Sequence, residues 1–137
     1  MTASAAPRAT EPARIGAIAT LPLFHKLRGR RVVLAGDSEG AAWKAELLAA
    51  AGADLHVFAP AAPRRFHHVA ASEGGAVHVH GRPWEPGDLA GAALAVADVE
   101  TDEEAAAFAA AAHAAGAVVN VVDRPAYCDA QFGALVN

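Results

Sequence analysis

Five short runs of β-branched and small apolar residues alternate along this chain with alanine-rich stretches of helical period, and no other feature constrains the fold as much. Arg31 to Ala35 (RVVLA) predicts a strand, Gly36 to Gly40 a tight turn, and Ala41 to Ala51 a helix. Gly52 stands where a helix takes a left-handed C-cap, and Asp54 to Phe58 (DLHVF) predicts a second strand closed by Ala59 and Pro60. A less regular stretch holds a helix around Arg65 to Glu73, followed by an alternating strand, Ala76 to His80. After the turn-rich GRPWEPGD comes a near-continuous apolar run, Ala92 to Ala97, the signature of an interior strand covered on both faces. The next helix begins at Thr101 as N-cap, with Glu104 completing a capping box and Asp102 and Glu103 favoured by the helix dipole. Gly116 ends it, and Ala117 to Val122 predicts the fifth strand.

Short connections between alternating strands and helices require right-handed crossovers. The expected architecture is an α/β doubly wound parallel sheet of Rossmann type, in the order 3-2-1-4-5. A length of 137 residues fits one domain, spanning residues 21–137, and Met1 to Thr20, rich in Ala, Pro, Ser and Arg, reads as a disordered leader. Much of the 54% hydrophobic content is alanine, so the core should be close-packed but shallow. A formal charge of -4 gives no electrostatic footprint for nucleic acid. Neither a membrane-spanning apolar stretch nor a secretory h-region is present, and the single cysteine, Cys128, fits a reducing compartment. The expectation is a cytoplasmic protein with no nucleic-acid or membrane partner.

In open α/β sheets ligands bind beyond the carboxyl ends of the strands, where the strand order reverses. Three segments should meet there: Gly36 to Ala41, Asp98 to Thr101, and Asn120 to Pro125. The first approximates a dinucleotide fingerprint, with Gly36 at the turn, Ser38 where a second glycine would admit the pyrophosphate, and Ala41 as the small packing residue. Ser38 can offer its hydroxyl to a phosphate oxygen, and the helix start presents free N–H groups. The acidic ribose ligand at the end of strand two is missing, its place being held by Phe58, Ala59 and Pro60. The expected cofactor-binding set is Gly36, Asp37, Ser38, Glu39, Gly40, Pro60, Ala61 and Val99. Asp123 lies just past the fifth strand, where a carboxylate can serve as acid/base or can cap the turn before Pro125. No metal ligands are assigned: His78 and His80 share a strand face but read as the polar side of an exposed edge strand, and His67 and His68 diverge on any helix. Trp43 and Trp84 read as packing residues and Cys128 as a quiet thiol.

Two separated motifs carry a more specific likeness. The string LPLFHKLRGRRVVLAGDSEGAAWKAELLAAAGADLHVFAP resembles the opening of the siroheme synthase dehydrogenase family, matching at Leu21 to Phe24, Gly36 and Lys44. The ending VVNVVDRPAYCDAQFGALVN is similar to that family's Asn-Val-Val-Asp-x-Pro segment, matching at Asn120 to Asp123 and Pro125. The resemblance implies NAD-dependent oxidation of precorrin-2 to sirohydrochlorin, in some members coupled to ferrochelation, with Asp123 as the aspartate of both steps. It also implies a homodimer, formed through a second domain that would follow Asn137.

The chain departs from that pattern at the turn, where Gly36-Asp37-Ser38 replaces three glycines and Asp37 brings a carboxylate toward the expected pyrophosphate. A further departure is the loop after strand four, where Ala97-Asp98-Val99-Glu100-Thr101 lacks the usual hydroxyl. Three readings stand side by side: a precorrin-2 dehydrogenase domain, a non-catalytic nucleotide-binding or scaffolding module, and a site favouring NADP through Arg64 or Arg65. Whether the chain is a piece of a longer protein stays open with them.

Overall fold

The structure is a computed structural model that describes residues 14–70 and 76–133. Five strands are β1 (Arg31–Ala35), β2 (Asp54–Phe58), β3 (Val77–His80), β4 (Leu94–Ala97) and β5 (Val118–Val121). Three α-helices are α1 (Glu39–Ala50), α2 (His67–Ala70) and α3 (Asp102–Ala114). The strands form one parallel sheet in the order β3-β2-β1-β4-β5, as the alternating pattern requires. Strand positions agree with those read from the sequence, trimmed by a residue or two at the ends of β3, β4 and β5 where pairing stops.

Sheet pleating sorts the core into two layers. Val32 and Leu34 of β1, with Leu55 and Val57 of β2, pack under α1, whose buried stripe is Ala41, Ala42, Ala45, Leu48 and Ala49. On the other face Val33 and Ala35 join Ala95, Ala97, Val119 and Val121 beneath α3, which buries Ala105, Phe108, Ala109 and Ala112. Alanine stripes let both helices lie close to the sheet, while the fully buried rings of Phe58, Phe66 and Phe108 supply most of the bulk. Trp84 packs edge-on against Phe108 at 5.2 Å, confirming its packing role, whereas Trp43 on α1 is exposed.

Three local details differ from the sequence reading. Helix α1 starts two residues early, at Glu39, because Ser38 caps it by accepting the Ala41 N–H at 3.0 Å. The Thr101 cap of α3 is present, but Glu104 accepts the Thr101 hydroxyl instead of a backbone N–H, so only half of the expected capping box forms. The helix placed at Arg65 to Glu73 is a 3-10 turn, Pro63–Phe66, running into α2, and its last predicted residues lie outside the described ones. Proline at the start of that turn sets the tighter geometry. Of the predicted leader, residues 14–20 form neither helix nor strand, and the first thirteen lie outside the described residues. No helix among the described residues is long and apolar enough to cross a membrane.

Helix coverage is uneven across the sheet. On the α3 side, β2 and β3 carry Asp54, His56, His78 and His80, and no helix of the described residues packs over them. His56 stacks on His78 and His80, and His80 on Phe58. Desolvation lowers the pKa of both His56 and His80, and nearby positive charge, Arg31 for the first and Arg82 for the second, lowers them further against the opposing pull of Asp54 and Asp88. A histidine held neutral in the fold contributes stability that is present above the unfolded pKa of about 6.5 and is lost as pH falls through the folded value. Thermal melts are expected to show a falling Tm as pH drops from 7.5 to 5.5, and a His56→Gln/His80→Gln variant should flatten that dependence.

Candidate functional site

The parallel register brings the carboxyl ends of β1, β4 and β5 to one rim. Gly36 leaves β1 by donating its N–H to the Phe58 carbonyl at 3.0 Å, and Asp98 leaves β4 by donating to the Ala35 carbonyl at 2.8 Å. The two loops therefore touch. Gly36 has φ +152, and a Cβ there would lie 3.0 Å from both the Cβ and the carbonyl oxygen of Asp98. Only glycine fits without displacing that loop.

Ser38 is committed on two sides, since its oxygen caps α1 and its hydroxyl donates to Asp98 Oδ2. The phosphate contact expected of it must therefore compete with Asp98. The Asp37 carboxylate turns onto the loop after β2, accepting the N–H groups of Ala61 at 3.0 Å and Ala62 at 2.9 Å, while Arg65 donates to the Asp37 carbonyl. Gly36, Asp37, Ser38, Glu39 and Gly40 thus form one continuous turn and helix start, with Ala61 drawn to it through Asp37 and exposed Pro60 beside Ala61. Val99, partly buried, packs on the α3 side of the core just past Asp98. Asp98 is the residue that sequence reasoning undervalued. It stood there only as part of an acidic loop, and the β1–β4 register alone reveals that it faces Gly36 and Ser38.

The residues present fit a dinucleotide. The turn admits nothing larger than glycine at Gly36, and the first-turn amides of Glu39 and Gly40 have no intrahelical acceptor, leaving them for a phosphate. The Asp98 carboxylate sits close to this helix start, 3.9 Å from where a Gly40 Cβ would be.

A cleft of about 250 Å³ opens between α1 and the segment that follows β5, lined by Lys44 of α1 and by Asn120, Asp123, Arg124, Cys128 and Phe132. Asp123 has φ +59, the sole non-glycine positive φ among the described residues, and its carboxylate makes no hydrogen bond to the described chain. The turn-capping role open to it in sequence is not what it performs. Aspartate is among the residues that adopt the left-handed region in turns, and here the turn leaves its carboxylate on the lining of the cleft. Asn120, 7% exposed, donates to the Ala130 carbonyl at 2.9 Å and leaves its buried Oδ1 without a partner. Lys44 lies over the Phe132 ring at 4.8 Å, and Arg124 is tied to Asp102 and to the Glu100 carbonyl.

Cys128 closes the outer edge of β5, its sulfur accepting the Val121 N–H at 3.1 Å and facing the Val121 carbonyl at the same distance. Asp129 adds a second clasp, accepting the Val119 N–H at 3.0 Å and pairing with His113 at 2.7 Å. These bonds hold the Asp123-bearing turn against the sheet. Ser38→Ala, which removes the α1 cap and the Asp98 contact together, is expected to cost about 1–2 kcal/mol in urea denaturation.

Comparison with known proteins agrees with this geometry. Residues 23–134 match the family described as "Putative NAD(P)-binding". The chain is 42% identical over 117 residues to the siroheme synthase of Pseudomonas paraeruginosa and 44% identical over 117 residues to that of Pseudomonas putida. Each alignment covers 85% of this chain and 25% of the relative, so the chain spans a quarter of the length of these siroheme synthases. The solved structure of SirC, precorrin-2 dehydrogenase, superposes with a TM-score of 0.54 at 21% identity, covering 65% of this chain and 43% of that one, which supports the fold. Fold, glycine turn and a match spanning most of the chain converge: this protein belongs to that NAD(P)-binding family.

Proposed function

We propose that this chain is the dinucleotide-binding part of an enzyme that oxidises precorrin-2 to sirohydrochlorin with NAD as the oxidant, in the synthesis of siroheme. The observation that carries the reading is the unpartnered, left-handed Asp123, which lines the cleft just past β5 on the same rim of the sheet as the Gly36 turn. The siroheme synthase relatives and the precorrin-2 dehydrogenase fold support the substrate class.

Oxidation of a tetrapyrrole by hydride loss also releases a proton. NAD, when bound, accepts the hydride. Asp123 takes the proton at its carboxylate, which no neighbour in the described chain occupies. Asn120, whose buried Oδ1 has no partner, forms part of the wall of the same cleft. Gly36, Glu39 and Gly40 bind the pyrophosphate through backbone groups, Ser38 joins them when Asp98 gives way, and Pro60, Ala61 and Val99 border the nucleotide on either side. Arg65 donates to the Asp37 carbonyl, which places its guanidinium beside the turn.

The competition between Asp98 and a phosphate makes a directional test possible. Removing one like charge within a Debye length of the pyrophosphate is worth on the order of 1–2 kcal/mol. Asp98→Ala is therefore expected to tighten NAD binding about tenfold by calorimetry, and Gly36→Val to abolish it. With precorrin-2 and NAD supplied, Asp123→Asn should retain NAD affinity yet slow NADH formation by about 10²–10⁴-fold. The assay applies to this chain and to its fusion with the C-terminal region of a siroheme synthase relative. NADH formation by neither would overturn the dehydrogenase reading, and measurable NAD binding without it would leave a nucleotide-binding scaffold.

A further inference from the structure

The uncovered polar face of β2 and β3 gathers ligand-type side chains that lie two residues apart on one strand and directly opposite on the next. His56 and His78 are register partners across the parallel pair, and Asp54 precedes His56 on the same face. Asp54 Oδ1 lies 3.1 Å from His78 Nε2 and 3.7 Å from His56 Nε2, and one ligand atom from each of the three residues falls within 4.8 Å of the others. In a tetrahedral site with metal–ligand bonds of about 2.0–2.1 Å, neighbouring ligand atoms stand about 3.4 Å apart. Bringing both imidazole nitrogens to one ion requires the His56 and His78 rings, stacked with centroids 4.5 Å apart and 21° between their planes, to turn out of that stack.

The geometry points to Asp54, His56 and His78 as a binding site for a divalent transition-metal ion of zinc type, with His80 as the positioning residue. Two imidazoles and one carboxylate suit Zn²⁺ and its neighbours in the first transition row and do not suit Mg²⁺ or Ca²⁺. His80 Nε2 lies 3.1 Å from His56 Nδ1. When that nitrogen of His56 carries the proton and donates it to His80, the Nε2 lone pair is turned toward the Asp54 carboxylate, two electron-rich atoms across a gap that a cation fills. Orientation of a metal-bound imidazole by a partner on its second nitrogen is the usual supporting arrangement.

Access and charge are compatible with this role. His78 and Asp54 are 49% and 39% exposed and His56 16%, so the ion is reached from solvent and a water completes its coordination. Arg31 opposes a cation at this face, but its guanidinium donates to the Asp88 carbonyl, and Arg82 is held by both Asp88 oxygens. Asp54 supplies the compensating charge. The ion ties the edge strand β3 to β2 on the face where no helix of the described residues does so. The site lies along the body of the strands, away from the rim that bears Gly36 and Asp123, and it does not depend on the dehydrogenase reading.

Zinc titration of the tag-free full chain by calorimetry is expected to show one tight equivalent. Imidazole ¹H–¹⁵N spectra of the unmutated chain should show the His56 and His78 Nε2 resonances shifting as metallated nitrogens, with those of His68 and His113 unchanged. Zinc should also raise Tm reversibly, because an ion that binds only the folded chain stabilises it in proportion to the logarithm of its concentration over Kd. His78→Ala is expected to weaken binding at least 100-fold and His80→Ala about tenfold, the latter by loss of orientation alone. Absence of stoichiometric binding below about 100 µM, shifts confined to other histidines, or affinity unchanged in His56→Asn/His78→Asn would each overturn the assignment.

Discussion

The hydrogen-bonded placement of β1 between β2 and β4 is the constraint on which the rest of this molecule depends. Parallel pairing aligns Ala35 with Phe58 on one side and with Ala97 on the other, so the residues that follow, Gly36 and Asp98, must leave the sheet at the same height. Their loops meet at contact distance, and Gly36 is the only residue type that the contact tolerates. Helix α1 then starts where that turn delivers it, and β5, paired to β4, places Asp123 on the same rim. A slip of one residue in either ladder would turn every side chain of a strand to the opposite face and disperse the site.

Economy of helix has consequences on both sides of the sheet. Alanine stripes on α1 and α3 bring the helices close but bury little area per residue, so the core relies on three phenylalanines and on the strands' own valines and leucines. Between β3 and β4 the chain crosses through a short 3-10 turn, Pro86–Leu89, in place of a longer helix, which leaves the imidazoles of β2 and β3 uncovered. Stacking of those rings, and the Arg82–Asp88 pair beside them, occupies a face that a second helix would otherwise bury.

Strand order, strand positions and the helix ends at Gly52 and Gly116 were legible because each rests on local chemistry: β-branched runs, glycine at positive φ, and a threonine N-cap. The site was legible in outline, since Gly36 and Asp123 lie where open α/β sheets place ligands. What was not legible depends on partners distant in sequence. Ser38 reads as a damaged glycine until Asp98 is seen sixty residues away, bonded to it across the β1–β4 seam. Asp37 reads as a repulsive charge until the loop after β2 supplies two N–H groups to its carboxylate. His78 and His80 read as surface alternation because the contribution of Asp54 and His56 exists only once β2 and β3 are paired.

The two aspartates at the nucleotide end act differently, although in sequence both appear as unwelcome charge. Asp37 has its carboxylate satisfied by two backbone amides of a loop that packs beside the turn, and its contacts brace the site. Asp98 is held by one hydroxyl, that of Ser38 at the start of α1. A carboxylate near a helix start interacts favourably with the helix dipole, while the cap itself comes from Ser38. The Ser38–Asp98 hydrogen bond therefore ties the loop after β4 to the start of α1, a link that glycine at the second position of the turn could not make.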